Sequence, residues 1–154
     1  MIQKEKDLLL KDLCARLPYR VKCLVNYTFC NETTDYEDVK ASDVVTLITI
    51  NQQTEDYFFE KFSQWFDVDE FKPYLFPLSS MTDEMWDKEF REYGITEFTR
   101  DSFKYGCETL EFHDSNSNLS NTINFINKLL KNHFDIYGLI PMGLAIDATG
   151  LNIY

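Results

Sequence analysis

"LPYRVKCLVNYTF", Leu17 to Phe29, is where the hydrophobic period of the chain changes, and that change decides the fold class. Upstream, "KEKDLLLKDLCARL" (Lys4–Leu17) carries Leu9, Leu13 and Leu17 four residues apart, with Leu10 and Cys14 beside them. That spacing places one apolar stripe on a helix whose other faces are charged. Pro18 stops it, because proline disfavours the α conformation in the residue before it. From Tyr19 the pattern alternates: Val21, Cys23, Val25, Tyr27 and Phe29 fall on one face, with Arg20, Lys22, Asn26 and Thr28 mostly on the other. A period of two is a half-buried strand. A helix running directly into a strand makes the chain α+β.

Further on, "CNETTDYEDVKAS" (Cys30–Ser42) is polar and acidic and reads as a long loop. "DVVTLITINQ" (Asp43–Gln52) is β-branched and strand-like. "YFFEKFSQWFDV" (Tyr57–Val68) reads as one bent strand or two short ones. These make a small antiparallel sheet, open or curled into a barrel. Pro73 and Pro77 extend the residues before them, so 71–78 reads as an extended connector. Thr82 then supplies an N-cap, Asp83 and Glu84 place negative charge at the helix start, and Met81 and Trp86 are spaced as a hydrophobic staple. With Gly94 as a stop, this predicts a short helix over 83–93. "TEFTRDSFKYGCETLEFHDS" (Thr96–Ser115) predicts further strands. A second strong helix over about 120–134 follows from Ile123, Ile126, Leu130 and Phe134, with Ser117 and Ser120 as caps. The apolar tail after it packs down. One domain spans 1–154, with subparts at 1–71, 72–82 and 83–154.

The 154 residues carry a formal charge of −11, distributed unevenly. Residues 1–30 hold six Lys or Arg against three acids, whereas residues 31–70 hold two lysines against eleven acids. Such a surface repels nucleic acid and acidic membranes and suits a basic partner. No apolar run approaches the length of a membrane span, and the N-terminus lacks the apolar core of a secretory signal. Both point to an intracellular setting without direct nucleic-acid or membrane binding.

Motifs for chemistry are sparse. The glycine pairs in "GLIPMG" and "GLAIDATG" lack phosphate-cradle spacing, and the "PLSSM" serines have no nucleophile elbow around them. Cys23, Cys30, Cys107 and His113 match no common zinc module, so reduced, mostly buried thiols are the favoured reading. His113 and His133 have no base–orienter pattern beside them. No cofactor, metal or catalytic residue is assigned. The interface candidates are the aromatic pair Tyr74 and Phe76 and the acidic residues Asp67, Asp69 and Glu70. Lys11, Arg16, Arg20 and Lys22 are the only local cation cluster, and a small anionic ligand would need them to converge.

Three blocks, "LLLKDLCARLPYRVKC" (8–23), "KPYLFPLSSMT" (72–82) and "KNHFDIYGLIPMGLAIDAT" (131–149), resemble the signature blocks of a family of small uncharacterised proteins encoded by phages and prophages of gut Bacteroidetes. Arg20 stands where many members of that family have glycine. The resemblance implies a phage accessory protein in the host bacterial cytoplasm and carries no activity with it. With the charge, it favours a non-enzymatic binder that inhibits a host defence protein, of the nucleic-acid-mimic type. A ligand- or signal-nucleotide-binding protein or enzyme using the four cations is the alternative, and a phage structural or housekeeping module is a third.

Overall fold

Helix and strand form on either side of Pro18. Helix α1 spans Gln3–Arg16. Leu17–Tyr19 then tightens into a 3-10 turn holding Pro18, and Arg20 closes it in the left-handed region (φ 57°, ψ 52°), its N–H donating to the Leu17 carbonyl at 3.3 Å. The tight turn therefore forms with arginine where glycine is the low-strain residue. The buried side of α1 differs from the leucine stripe: Leu9, Asp12, Leu13 and Arg16 are buried, while Leu10, Cys14 and Leu17 are half-buried.

This computed structural model describes residues 1–30, 38–51, 53, 56–91 and 119–154. The strands expected over 96–115 and the caps at Gly94 and Ser117 lie outside the described residues. The chain divides into two compact units, Met1–Tyr74 with Ile153–Tyr154, and Leu75–Asn152.

In the first unit, β1 (Lys22–Cys30) pairs antiparallel with β2 (Asp38–Asn51) and with β5 (Phe71–Leu75). β2 pairs with β3 (Asp56–Phe59), and β3 with β4 (Trp65–Phe66). The sheet is open rather than closed into a barrel, with these strands in the order β4-β3-β2-β1-β5. In the second unit, β6 (Ile146–Asp147) is followed by Ala148, whose N–H donates to the Leu75 carbonyl at 2.8 Å.

Two expectations are corrected here. Asp38–Ser42, read as loop from its polarity, is the start of β2, paired against Asn26–Cys30. The expected connector is strand β5 through Leu75. Pro73 sits opposite Cys23, and the odd residues of β1 direct their backbone groups at β2, so β1 asks no N–H of Pro73. The aromatic run from Tyr57 to Val68 forms two short strands rather than one. It supplies a ring cluster: Tyr57–Phe71 at 4.7 Å, Phe59–Phe71 at 5.0 Å and Phe62–Phe66 at 4.8 Å between centroids. Packing, not stacking on a ligand, absorbs these rings.

The second unit contains α2 (Asp83–Glu89) and α3 (Leu119–Lys131). Thr82 caps α2 as expected, its hydroxyl accepting from Met85 N at 3.2 Å. α2 ends earlier than expected, with Phe90 as its C-cap. Phe90 is fully buried, edge-on to Phe125 at 5.4 Å. On α3 the expected stripe is displaced: Phe125, Leu129 and Leu130 are buried, whereas Ile123 is exposed. The C-terminus of α3 is a Schellman motif, with Phe134 N donating to Leu129 O and His133 N to Leu130 O, both at 3.0 Å. His133 occupies the left-handed position (φ 60°) that glycine usually fills. The next residue pair anchors the tail. The Phe76 N–H donates to His133 O, Asp135 N donates to Phe76 O, and the buried Asp135 carboxylate accepts from Leu139 N and Ile140 N at 2.9 and 2.8 Å. That carboxylate nucleates the turn from which Leu139, Leu144 and Ala148 pack down.

Candidate interaction groove

β1 is longer than its partner β5. Pairing on that side stops at Val25 opposite Phe71, while β1 runs on to Cys30. The chain enters β5 from a 3-10 turn, Val68–Glu70, that leaves the sheet just there. The mismatch opens a solvent-facing groove of about 500 Å³ lined by Asn26, Tyr27 and Thr28 of β1, Ala41 and Ser42 of β2, and Asp69 and Glu70 of the turn.

Local chemistry holds the walls. Asp67 caps the turn, its Oδ1 accepting from Val68 N at 2.6 Å, and the Glu70 carboxylate reaches back to Asp67 N at 2.7 Å. This reciprocal pair is a capping box. Asp67 and Glu70 are thus oriented by structural bonds, and Asp69 projects outward with its side chain 57% exposed. The Met1 amino group lies 4.0 Å from the Asp69 carboxylate, in keeping with the negative potential there. On the opposite wall the Tyr27 hydroxyl donates to Asp43 at 3.0 Å, and its ring meets Phe62 edge-on at 5.0 Å. The bond to Asp43 raises the Tyr27 pKa, with desolvation and the negative charge of Asp43 adding to it.

The structure brings Asp69 and Glu70 into this groove, with Asp67 at the base of the same turn. The aromatic candidates are placed differently. Tyr74 is buried, and its carbonyl accepts from the Tyr154 hydroxyl at 2.7 Å. Phe76 is half-buried, tilted against Phe134 at 6.3 Å.

The four cations do not present themselves as one set. Arg16 is wholly buried and grips Asp12, Nε to Oδ2 at 2.6 Å and Nη2 to Oδ1 at 2.8 Å. Lys22 is half-buried, its ammonium on the Ile153 carbonyl at 2.5 Å and 6.0 Å from the centre of the Tyr154 ring. Lys11 and Arg20 are exposed. Cys23, between Lys22 and Leu24 on β1, is fully buried; burial first, and then the negative charge of Asp12, push its thiol far above the usual range. A thiol held neutral in this way is a poor nucleophile.

Sequence reasoning missed both the Asp12–Arg16 pair and the groove. The pair had a signal: opposite charges four apart, in phase with Leu9 and Leu13. The groove had none, since it arises from unequal strand lengths. Of the four residues of the suggested zinc grouping, Cys107 and His113 lie outside the described residues, and no cluster of metal-ligating side chains occurs among the described ones. No helix among them is long and apolar enough to cross a membrane. No protein-family model, curated protein or solved structure matches the chain.

Proposed function

We propose that the protein acts by binding, docking a basic partner protein on the acidic face around Asp67, Asp69 and Glu70. In the phage setting implied by the resemblance of its sequence blocks, that partner is a host defence protein in the bacterial cytoplasm. The carboxylates then stand where the phosphates of its nucleic-acid ligand would lie. The observation that carries this reading is the groove itself: a solvent-facing concavity rimmed by Asp69 and Glu70, on a chain of net charge −11.

The test is capture of host proteins on the immobilised chain at low and high salt, with an Asp69→Lys/Glu70→Lys variant alongside. The expected result is a basic protein retained at low salt, released at high salt and lost with the variant. A complex indifferent to both salt and charge reversal, or no complex at all, overturns the reading.

A further inference from the structure

We propose that the groove receives an extended basic segment of the partner as an added strand along β1, beside Asn26 and Thr28. This rests on the binding reading above and supplies its mode of recognition. Leu47 N donates to Val21 O at 3.0 Å, and the register runs on without a shift from Lys22↔Thr46 to Cys30↔Asp38. In an antiparallel ladder every second residue exchanges hydrogen bonds with a given neighbour. Val21, Cys23, Val25 and Tyr27 therefore face β2 with their N–H and C=O groups, and Lys22, Leu24, Asn26 and Thr28 face the other way. Lys22 checks the assignment: its N–H leaves β2 and donates to the Tyr154 hydroxyl at 3.1 Å. Leu24 meets Lys72 of β5.

Asn26 and Thr28 come next on that side. Among the described residues no strand pairs with β1 there, and both residues line the groove. The opening thus presents the backbone of two alternate residues, the arrangement a strand-adding peptide requires. A flat open edge is normally blunted by charge, and here the charge is acidic: Asp69 and Glu70 stand across the groove from it. They disfavour a second acidic edge, including that of another copy of this chain, and favour a strand with Lys or Arg at alternate positions, which fall on one face. The geometry commits the site to a basic β-segment rather than to a basic helix, whose interior N–H and C=O groups are already bonded to one another and cannot run alongside Asn26 and Thr28.

The experiment uses the full chain, isotopically labelled, and a capped peptide of about eight alternating Lys and Val residues, near the usual strand length. Three companion probes are the same peptide with Glu for Lys, the same peptide N-methylated at alternate residues, and the Thr28→Pro protein. The expected result is saturable amide shifts and slowed exchange at Asn26 and Thr28. Affinity should fall at least tenfold with N-methylation and with Thr28→Pro, whose lost N–H lies outside the β2 ladder. It should fall about tenfold with Asp69→Lys/Glu70→Lys, and the Glu peptide should not bind. If N-methylation leaves binding intact and the Asn26 and Thr28 amides stay still while charge reversal abolishes it, strand addition is overturned and acidic docking stands. If charge reversal changes nothing, both fail. The N-methylated peptide decides the matter even where Thr28→Pro does not fold.

Discussion

Replacing Asp12 with alanine should cost far more than any surface charge in this protein. Both side chains of the Asp12–Arg16 pair are 0% exposed, and the guanidinium makes two short bonds to the carboxylate. Removing one member strands a buried cation, at a cost of about 3–5 kcal/mol. A domain of this size has about 5–15 kcal/mol in total, so Asp12→Ala forfeits a large share of it. The pair as a whole is worth much less, because both ions lost their hydration on burial. Asp12→Leu combined with Arg16→Met should therefore be within about 1 kcal/mol of the parent, or above it. Urea unfolding followed by circular dichroism gives both numbers, and an unchanged slope shows that the same surface is exposed on unfolding. The reasoning is refuted if Asp12→Ala costs under about 1 kcal/mol, or if the double variant falls as far as the single one. The outcome also bears on Arg16 as a ligand-binding residue: a strictly structural arginine leaves no guanidinium for an incoming anion.

Arg20→Gly should stabilise by about 0.5–1 kcal/mol, because glycine adopts φ 57° without strain; a loss of stability in the same unfolding assay refutes this. Tyr154→Phe leaves the Lys22 N–H and the Tyr74 carbonyl without their hydroxyl partner, at a cost of about 1–3 kcal/mol, and exchange of the Lys22 amide should accelerate selectively. Desolvation of the hydroxyl, held between Lys22 N and the Tyr74 carbonyl, raises the Tyr154 pKa above its ordinary 10.0 although the residue as a whole is 43% exposed. An acid held neutral in the fold stabilises fully below that ordinary value, so stability should fall as pH rises beyond it, and less steeply in Tyr154→Phe. Glu89 is held below its ordinary 4.5, first by the hydrogen bond from Lys128. Its contribution is present above 4.5 and lost as pH falls through the lower folded value; Lys128→Met should return the Glu89 titration, read by carbon NMR, towards 4.5.

The fold class was legible at Leu17–Phe29 because a change of period is a local signal. Thr82 was legible for the same reason: an N-cap bonds three residues along its own chain. What was not legible is non-local. Pro73 reads as a strand breaker until the phase of β1 shows that its missing donor is not needed. Asp38–Ser42 reads as loop because polarity signals exposure, yet one side of a ladder can be wet and still paired. Ile123 and Phe125 are both apolar on α3, and only the rings waiting at Trp86 and Phe90 decide which of them turns inward. The acidic residues of the groove were legible as composition. Their facing a stretch of β1 that has no strand on its β5 side among the described residues was not, because it depends on where β5 begins.

The hydroxyl of Tyr154 also sets an order of events during synthesis. It joins Lys22 to Tyr74, both of the first unit, yet the whole of Leu75–Asn152 is translated before it. At ~5–20 residues per second a ribosome needs roughly 4–16 s to travel from Tyr74 to Tyr154. For that interval the Lys22 amide has no Tyr154 hydroxyl to bond, on the same side of β1 where, among the described residues, no strand pairs beyond Val25. An incomplete strand edge is a place where neighbouring chains can pair, and the acidic residues near the Asn26 end repel the like-charged edges of other copies during that interval.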